Sequence, residues 1–215
     1  MSGPNNGPKA IIGFAIVSED GMLADANGVM PETLKFKADE TYFIDGMDRV
    51  QVAINGRHSQ EPHPNAPLRH RITVTTAVRS VAPDPNNKKK GILWNPAGAP
   101  FEEVWSKLGV EGRLGVVGGT DVFGLFLDSY DEFHLSRAPG VRLPRGRPVF
   151  PGVPHETPEQ ILREHGLTPD PTQTLDAKHG VTVTVWRRSG GTETVRRKPP
   201  PHGAAARRAK LVEDA

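Results

Sequence analysis

The sequence predicts an α/β fold, in which a central β-sheet carries helices on both faces. Two observations predict it. Apolar and β-branched runs of strand length alternate with segments of helical periodicity, and Gly, Pro and Asn clusters separate them. The first run, KAIIGFAIV at residues 9–17, is continuously apolar, which is typical of a strand buried on both faces. The length of 215 residues suits one domain.

The first half of the chain predicts one helix between strands. This helix covers ADETYFIDGM, residues 38–47, where apolar side chains recur at helical spacing. Asp39 lies in its first turn, where a carboxylate stabilises the positive end of the helix dipole. Strands are predicted on both sides of it, at residues 9–17, 49–55 and 69–78.

The second half continues the alternation of strands and helices. Thr157 as a cap and Pro158 at the first helical position predict that a short helix begins there. Residues 139–155 are rich in Pro, Gly and Arg and are predicted to be irregular. The remaining predicted elements are a helix at 99–109, a strand at 114–117, a helix at 121–130, a strand at 132–138, a helix at 157–166 and a strand at 180–188.

The composition excludes several classes of function. The chain has no cysteine, so disulfides, cysteine-based zinc sites and thiol catalysis are ruled out and a reducing compartment is expected. No metal site is predicted. No apolar run reaches about 18 residues, and the start MSGPNNGPKA lacks the apolar core of a secretory signal. We therefore expect a soluble, cytoplasmic protein with no membrane partner.

The basic charge is concentrated at the end of the chain. From Arg187 onwards there are eight Lys or Arg against three acidic residues, a net charge of +5. Since the whole chain has a net charge of +2, the preceding residues carry a net charge of −3. We expect a flexible N-terminus at residues 1–8, one folded domain at 9–188 and a disordered basic tail at 189–215. A solvated tail is favoured over a nucleic-acid site, because nucleic-acid-binding proteins more often carry their charge on the folded face.

A Gly-Gly pair joins a predicted strand to a predicted helix in RLGVVGGTDVFGLFL, residues 113–127. The spacing of Gly118, Gly119 and Gly124 does not fit the G-x-G-x-x-G pattern of dinucleotide-binding proteins. Two interpretations stay open. The pair forms a tight turn, or it brings backbone N–H groups at the start of the helix close to a pyrophosphate.

Two other strand ends carry groups that suit a phosphate. The strand VAIN is followed by Gly56, Arg57, His58 and Ser59, where Arg offers a planar fork and Ser a hydroxyl. Thr75 and Thr76 add two hydroxyls at the end of the next strand. Ligands of open α/β sheets bind outside the carboxyl ends of the strands. Three such junctions favour a nucleotide site.

The order of these features resembles the dihydrofolate reductase fold and, in detail, the reductase (C-terminal) domain of bifunctional riboflavin-biosynthesis enzymes. The resemblance covers roughly residues 9–188 and implies a three-layer fold with a mostly parallel sheet and an antiparallel C-terminal strand. No deaminase domain with zinc ligands precedes these motifs, so a stand-alone reductase domain is expected. The motifs that carry the resemblance are SEDGMLA, MPETLKFKADETYF, INGRHS, RHRITVTTA, VVGGTDVF and DEFHLSRAPGVRLPRGRPVFPG.

The resemblance implies NADPH as the cofactor and a cis peptide bond within the Gly-Gly pair. It implies that the glycines lie against the pyrophosphate and nicotinamide side, with hydroxyls of RHRITVTTA near the adenosine 2′-phosphate. Riboflavin-type reductases are often dimers, so the resemblance implies a homodimer. The residues implied to bind the cofactor are Gly56, Arg57, His58, Ser59, Thr75, Thr76, Val117, Gly118, Gly119, Thr120 and Asp121.

The resemblance also implies three residues at the substrate. Asp39 aligns with the family's single buried carboxylate, which assists protonation; the alternative is an ordinary Asp in the first turn of a helix. Ser136 stands where folate reductases have a Thr that bonds this carboxylate, and a strand Ser with no role is the alternative. Arg69 aligns with the Arg that holds the glutamate tail of folate, although an exposed Arg at a strand start is also common.

Two departures from the folate reductases bear on the substrate. Glu32 follows Met-Pro where those enzymes have Trp, and Phe123 stands where they often have Tyr. Because the SEDG and DEFHL…VF matches are also closer than the folate-specific ones, the resemblance implies an NADPH-dependent reductase of the riboflavin type, acting on a ribosylaminopyrimidine. Dihydrofolate reduction is the alternative. A non-catalytic nucleotide- or nucleic-acid-binding protein is the rival from another class.

Overall fold

The structure, a computed structural model, describes residues 7–59, 65–188 and 200–201. Most of the predicted flexible N-terminus and most of the predicted basic tail lie outside the described residues. Pro8 and Pro200, which lie next to those segments, are buried. Arg187 and Arg188, which we counted with the basic charge of the tail, belong to the last strand of the sheet.

The described residues form twelve strands and four helices. Three short 3-10 turns occur at Glu32–Leu34, Ala66–Leu68 and Leu127–Ser129. The helices are α1 (Lys37–Met47), α2 (Phe101–Leu108), α3 (Thr120–Leu125) and α4 (Pro158–Glu164). The strands are β1 (Ala10–Ser18), β2 (Met22–Ala24), β3 (Val52–Gly56), β4 (His70–Val74), β5 (Val81–Pro83), β6 (Gly91–Trp94), β7 (Arg113–Gly118), β8 (Glu132–Ala138), β9 (Arg147–Pro148), β10 (Leu167–Pro169), β11 (Gln173–Asp176) and β12 (Val181–Arg188).

Ten strands form one mixed sheet in the order β10-β12-β8-β1-β7-β3-β4-β6-β5, with β11 also paired to β12. The central strands β8, β1, β7, β3, β4 and β6 are parallel to one another. Strand β12 runs antiparallel to β8, and β5 antiparallel to β6. The predicted mostly parallel sheet with an antiparallel C-terminal strand is therefore confirmed. Strands β2 and β9 form a separate small sheet.

Helices cover both faces of the sheet. On one face, Met47 and Phe43 of α1 pack against Ile12, Phe14 and Ala53. On the other face, the side chains that point the opposite way from the same strands pack against α2, α3 and α4 in the larger core. The two clusters alternate along β1 and β3 because successive side chains of a strand point to opposite faces. Within the described residues, no helix is long and apolar enough to cross a membrane.

Two predicted elements end earlier than the sequence pattern indicates. The strand predicted at 69–78 stops at Val74, because β6 alongside it ends at Trp94, and a turn follows. The helix predicted at 121–130 is α3, which ends at Leu125 and continues as a 3-10 turn. The buried Tyr130 hydroxyl donates to the carbonyl of Phe123, which fixes the chain as it turns away from the helix.

Candidate active site

The Gly-Gly pair lies where β7 passes into α3. Gly118 is buried with φ +99°, and a Cβ there would lie 2.6 Å from the ring of Phe123. The peptide bond from Gly118 to Gly119 is cis, as the resemblance implies. A Cβ on Gly119 would meet only the hydroxyl of Ser59, 3.7 Å away. The two predicted junctions, Gly118-Gly119 and Gly56–Ser59, are therefore neighbours in space.

Asn55 holds the second junction together. It pairs with Gly118 across β3 and β7, and its amide Nδ2 donates to the carbonyls of Gly56 at 2.8 Å and Ser59 at 2.7 Å. These two carbonyl acceptors fix the orientation of the amide, so Oδ1 points away from them. Asn55 is only 4% exposed, and its Oδ1 has no hydrogen-bond partner. A buried acceptor of this kind has room for a donor from a ligand.

A cavity of about 680 Å³ opens at the carboxyl ends of β3 and β4. Its size is within the range of ligand-binding clefts. Two arginines, three hydroxyl side chains and Asn55 line it, together with Asp84. The polar residues that line it are Asn55, Arg57, Ser59, Arg71, Thr73, Thr75, Asp84, Asn86 and Asn87.

The predicted cofactor residues are only partly brought together in this cavity. Arg57, Ser59 and Thr75 line it, whereas His58, Thr76 and Asp121 are exposed and do not. The Nε of Arg57 donates to His58 Nε2 at 2.8 Å. Thr75 Oγ1 accepts from the backbone N–H of Ala77 at 3.1 Å, which shapes the turn after β4.

The two remaining predicted positions lie beside the Gly-Gly pair. Val117 is half-buried and packs with the apolar cluster beneath α1. The hydroxyl of Thr120 donates to the carbonyl of Pro148, so it anchors the start of α3 to β9. Because α3 has only six residues, its N-terminus offers a short dipole.

The Asp39 carboxyl and the Ser136 hydroxyl meet beneath α1. Ser136 lies on β8, is 3% exposed and hydrogen-bonds Asp39. Burial raises the pKa of Asp39 above its ordinary value, and the hydrogen bond from Ser136 opposes this only in part. The pair presents a carboxyl group that keeps its proton to a higher pH than an exposed Asp.

Arg69 lies away from both groups, at the amino ends of β3 and β4. Its side chain is 5% exposed and forms an ion pair with Asp48 at 3.3 Å. It lines a second cavity of about 520 Å³ together with Asn65, Leu68 and His70. Arg69 is thus a buried, paired residue and not the exposed arginine of the alternative interpretation.

Sequence reasoning missed Asn55, Arg71 and Thr73. The alternation in RITVTT contained a signal, since Arg71 and Thr73 lie on the face of β4 opposite the buried Ile72, and Thr75, directly after the strand, continues their spacing. Asn55 also had a sequence signal, because it is a polar amide residue in an otherwise apolar strand. Among the described residues, no group of three His, Asp or Glu side chains is arranged to hold a metal ion.

No protein-family model matches the chain, and no curated protein matches it in sequence. Solved structures do resemble it. A predicted riboflavin biosynthesis protein from Shewanella sp. PV-4 is 20% identical with a TM-score of 0.56, over 84% of this chain and 99% of that one. A dihydrofolate reductase from Enterococcus faecalis, complexed with NADP(H), is 16% identical with a TM-score of 0.57, over 84% and 97%.

A third similar structure is a larger protein. It is a diaminohydroxyphosphoribosylaminopyrimidine deaminase/5-amino-6-(5-phosphoribosylamino)uracil reductase from Thermotoga maritima, 14% identical with a TM-score of 0.58. The match spans 85% of this chain and 57% of that one. At these identities the likenesses define the fold. It is a dihydrofolate reductase-like α/β fold, as the resemblance predicted.

Proposed function

We propose that this protein is an NADPH-dependent reductase that transfers a hydride to a ribosylaminopyrimidine, as riboflavin-type reductases do. One observation carries the proposal: the Asp39–Ser136 pair and the polar cavity beside Gly118-Gly119 lie on the same face of the sheet. Ser136 on β8 and Asn55 on β3 are three strand spacings apart, about 14 Å. In this proposal, one extended cofactor spans the distance from the polar cavity to the carboxyl group of Asp39 on α1.

The residues of the cavity fit a phosphorylated nucleotide. Arg57 supplies a positive fork, and Ser59 and Thr75 supply hydroxyls at the ends of adjacent strands. The unpaired Oδ1 of Asn55 would accept an N–H or O–H of the ligand. The bound cofactor supplies the hydride, and the protein binds it and orients its reactive ring toward the substrate.

Asp39 has a chemical reason to lie near the substrate. When a hydride reduces a C=O or C=N bond, the oxygen or nitrogen must gain a proton. A carboxyl group whose pKa burial has raised retains that proton closer to neutral pH, and Ser136 holds it in one orientation. The proposed role of Asp39 is to hold and deliver this proton, with Ser136 as a positioning residue.

The ion pair of Arg69 with Asp48 bears on the choice of substrate. Dihydrofolate has a carboxylate tail, and Arg69 is the arginine that the resemblance assigns to it. Here Asp48 of the same chain already supplies a carboxylate to that guanidinium. This favours a substrate without such a tail, so dihydrofolate stays the second candidate.

Turnover tests the proposal directly. The full chain is mixed with NADPH, and loss of the nicotinamide absorbance is followed with the ribosylaminopyrimidine and with dihydrofolate separately. Oxidation with the first substrate alone supports the proposal. Oxidation with dihydrofolate alone replaces it with the second candidate. Tight NADPH binding without turnover would leave a reductase scaffold with another substrate, and no NADPH binding would refute the function.

The non-catalytic rival depends on the basic residues near the end of the chain. Arg187 pairs with Glu132 and Asp170, and Arg188 donates to three backbone carbonyls, so both are structural. The appropriate variant therefore neutralises Arg207, Arg208 and Lys210 to Gln and leaves the buried Pro200 in place. The reductase proposal expects unchanged turnover. Strong, salt-dependent nucleic-acid binding that the variant abolishes would favour the rival.

A further inference from the structure

Beside Asp39, three titratable side chains form a hydrogen-bonded row on the face of the sheet that α1 covers. The hydroxyl of Tyr42 lies 2.6 Å from His134 Nδ1, and His134 Nε2 lies 3.3 Å from the carboxylate of Glu132. Glu132 also accepts from Arg187, which donates to Asp170 at 2.7 Å. This row, Tyr42–His134–Glu132, is called the imidazole array below.

The packing of α1 brings the imidazole array next to the Asp39 carboxyl. Asp39 and Tyr42 are three residues apart on α1, and His134 and Ser136 are two residues apart on β8. Residues with these spacings share one face of their helix or strand. Because Ser136 binds Asp39 and His134 binds Tyr42, the helix and the strand are joined by two parallel contacts, about 7 Å apart along β8.

The partners of His134 determine its neutral tautomer. An ionised Glu132 can only accept hydrogen bonds, so Nε2 carries the hydrogen and donates to it. Nδ1 is then the acceptor for the Tyr42 hydroxyl. The hydrogen bond from His134, together with the charge of Arg187, holds the pKa of Glu132 below its ordinary value, which keeps this carboxylate ionised. A second proton on His134 would place a positive charge at Nδ1 and reverse its bond to Tyr42.

The surroundings of His134 contain few other charges. Strand β1 contributes Phe14, whose ring lies 4.7 Å from the imidazole. Strand β12 contributes the apolar Val185 opposite His134, and Arg187 opposite Glu132. Asp39 of α1 and Arg49, which follows that helix, act on the Tyr42 hydroxyl, whose pKa is raised by burial first and then by the nearby carboxylates.

We propose that His134, held by Tyr42 and Glu132, is a positioning residue that couples its own protonation to that of Asp39. A positive imidazole behind Ser136 favours the ionised carboxylate, and a neutral imidazole favours the protonated acid. The catalytic meaning of the coupling rests on the proposed reductase function, whereas the coupling itself is a property of the ligand-free protein.

The test follows the Asp39 carboxyl carbon by NMR in ligand-free full-length protein as the pH is varied. We expect two inflections in the wild type, one of them coincident with the titration of the His134 ring protons. In His134→Gln the second inflection should vanish and the Asp39 midpoint should rise by about one pH unit, since a nearby positive charge is lost. One inflection in the wild type would overturn the proposal without any variant.

Two control variants make a negative result interpretable. Ser136→Ala removes a hydrogen bond that lowers the Asp39 pKa, so it must raise the midpoint if the method is sensitive enough. His165→Gln removes a different histidine that is also paired with a carboxylate, that of Asp128 at 2.7 Å, and must leave Asp39 unchanged. If Ser136→Ala moves the midpoint and His134→Gln does not, the proposal fails.

The outcome is separable from the proposed function. Coupling observed in a protein that reduces no offered substrate would support the proposal for His134 and count against the reductase. The opposite outcome combines two results: the pH profile of turnover is identical in the wild type and in His134→Gln, and the Asp39 carboxyl shows one inflection. These results would leave the reductase proposal intact and overturn the coupling. A pH profile of turnover that shifts in His134→Gln, while the KM for the substrate stays unchanged, would support both the coupling and the reductase function.

Discussion

The guanidinium of Arg69 lies 3.3 Å from the carboxylate of Asp48, and the amide of Asn65 donates to the same carboxylate at 3.1 Å. Arg69 extends from the loop before β4, and Asp48 directly follows α1. The pair therefore ties the carboxyl end of the helix to the start of a central strand. It also fills the place where the resemblance expects a substrate carboxylate.

Asp48→Asn should strengthen the binding of dihydrofolate. The variant removes the carboxylate that competes with the glutamate tail for Arg69, and a charged hydrogen bond gained there corresponds to about a tenfold lower Kd. The measurement is a titration of each protein with dihydrofolate alone. Glu111→Gln is the matched control, because Glu111 lines the same cavity but pairs with Lys9. An unchanged Kd in Asp48→Asn would show that Arg69 does not receive this tail.

Asp39→Asn should abolish turnover and increase stability above neutral pH. Burial raises the pKa of Asp39, so the folded state holds its proton more tightly than the unfolded chain. The stability this gives is complete below the unfolded pKa and is lost as the pH rises through the folded pKa. An uncharged amide avoids that loss, so we expect Tm at pH 8 to rise by roughly 2–4 °C, the response to about 1 kcal/mol in a domain of this size.

The same residue should give a pH profile to the reaction. Since the protonated carboxyl is the proposed donor, kcat should fall as the pH rises through the folded pKa of Asp39. Ser136→Ala should move this fall in kcat to higher pH, because the hydrogen bond that the variant removes lowers the pKa of Asp39. Asp45→Asn, on the exposed side of α1, should leave the pH at which kcat falls unchanged. A shift to lower pH in Ser136→Ala would contradict the assignment.

Arg57→Ala should weaken NADPH more than NADH. Arg57 lines the polar cavity at the carboxyl ends of β3 and β4 and is exposed, so its removal disturbs no core contact. Loss of a charged hydrogen bond to a phosphate costs on the order of 1.5–3 kcal/mol, which corresponds to roughly a 10- to 150-fold weaker Kd for NADPH. Arg113→Gln, at the opposite end of the sheet, is the control for a general charge effect. Equal losses for both cofactors would refute a 2′-phosphate contact.

Asn55→Ala should reduce both stability and nucleotide affinity. The variant removes two hydrogen bonds to the carbonyls of Gly56 and Ser59, at a cost of about 1–3 kcal/mol in the free energy of unfolding. Asn95→Ala removes a comparable bond to the carbonyl of Val78, but Asn95 does not line the cavity. Urea unfolding and NADPH titration of both variants separate the effects. Equal affinity in the two variants would remove Asn55 from the binding site.

The sequence predicted the layers of this fold better than it predicted the ends of the elements. Alternation of strands and helices is a local signal, and it located α1, β8 and β12 to within two residues. The end of β4 depends on where its neighbour β6 stops, and the end of α3 depends on Tyr130. Such boundaries are set by tertiary contacts, which a single sequence does not contain.

The candidate site shows the same division. Asp39 and Ser136 are nearly a hundred residues apart, and only the resemblance linked them before the structure brought them together. The cavity residues Arg71 and Thr73 were missed, because the alternation of β4 identifies them only once its buried face is known. The contact of Tyr42 with His134 had no sequence signal, because it depends on how closely α1 approaches the sheet.

Gly46→Ala tests that close approach. A Cβ on Gly46 would lie 2.5 Å from the ring of Phe14, which is itself packed against His134. Replacing a helical glycine by alanine gains up to about 1 kcal/mol of helix propensity, but overpacking a core typically costs 1–3 kcal/mol. Because Phe14 lies on a central strand and cannot withdraw, we expect urea unfolding to show a net loss on the order of 1 kcal/mol in the free energy of unfolding.

The displaced helix should also lengthen the contact between Tyr42 and His134 and shift the His134 ring resonances. Asp45→Ala is the control, since it changes helix propensity on the exposed side of α1 without a clash. Greater stability in Gly46→Ala would mean that α1 is less tightly packed on β1 than the structure indicates.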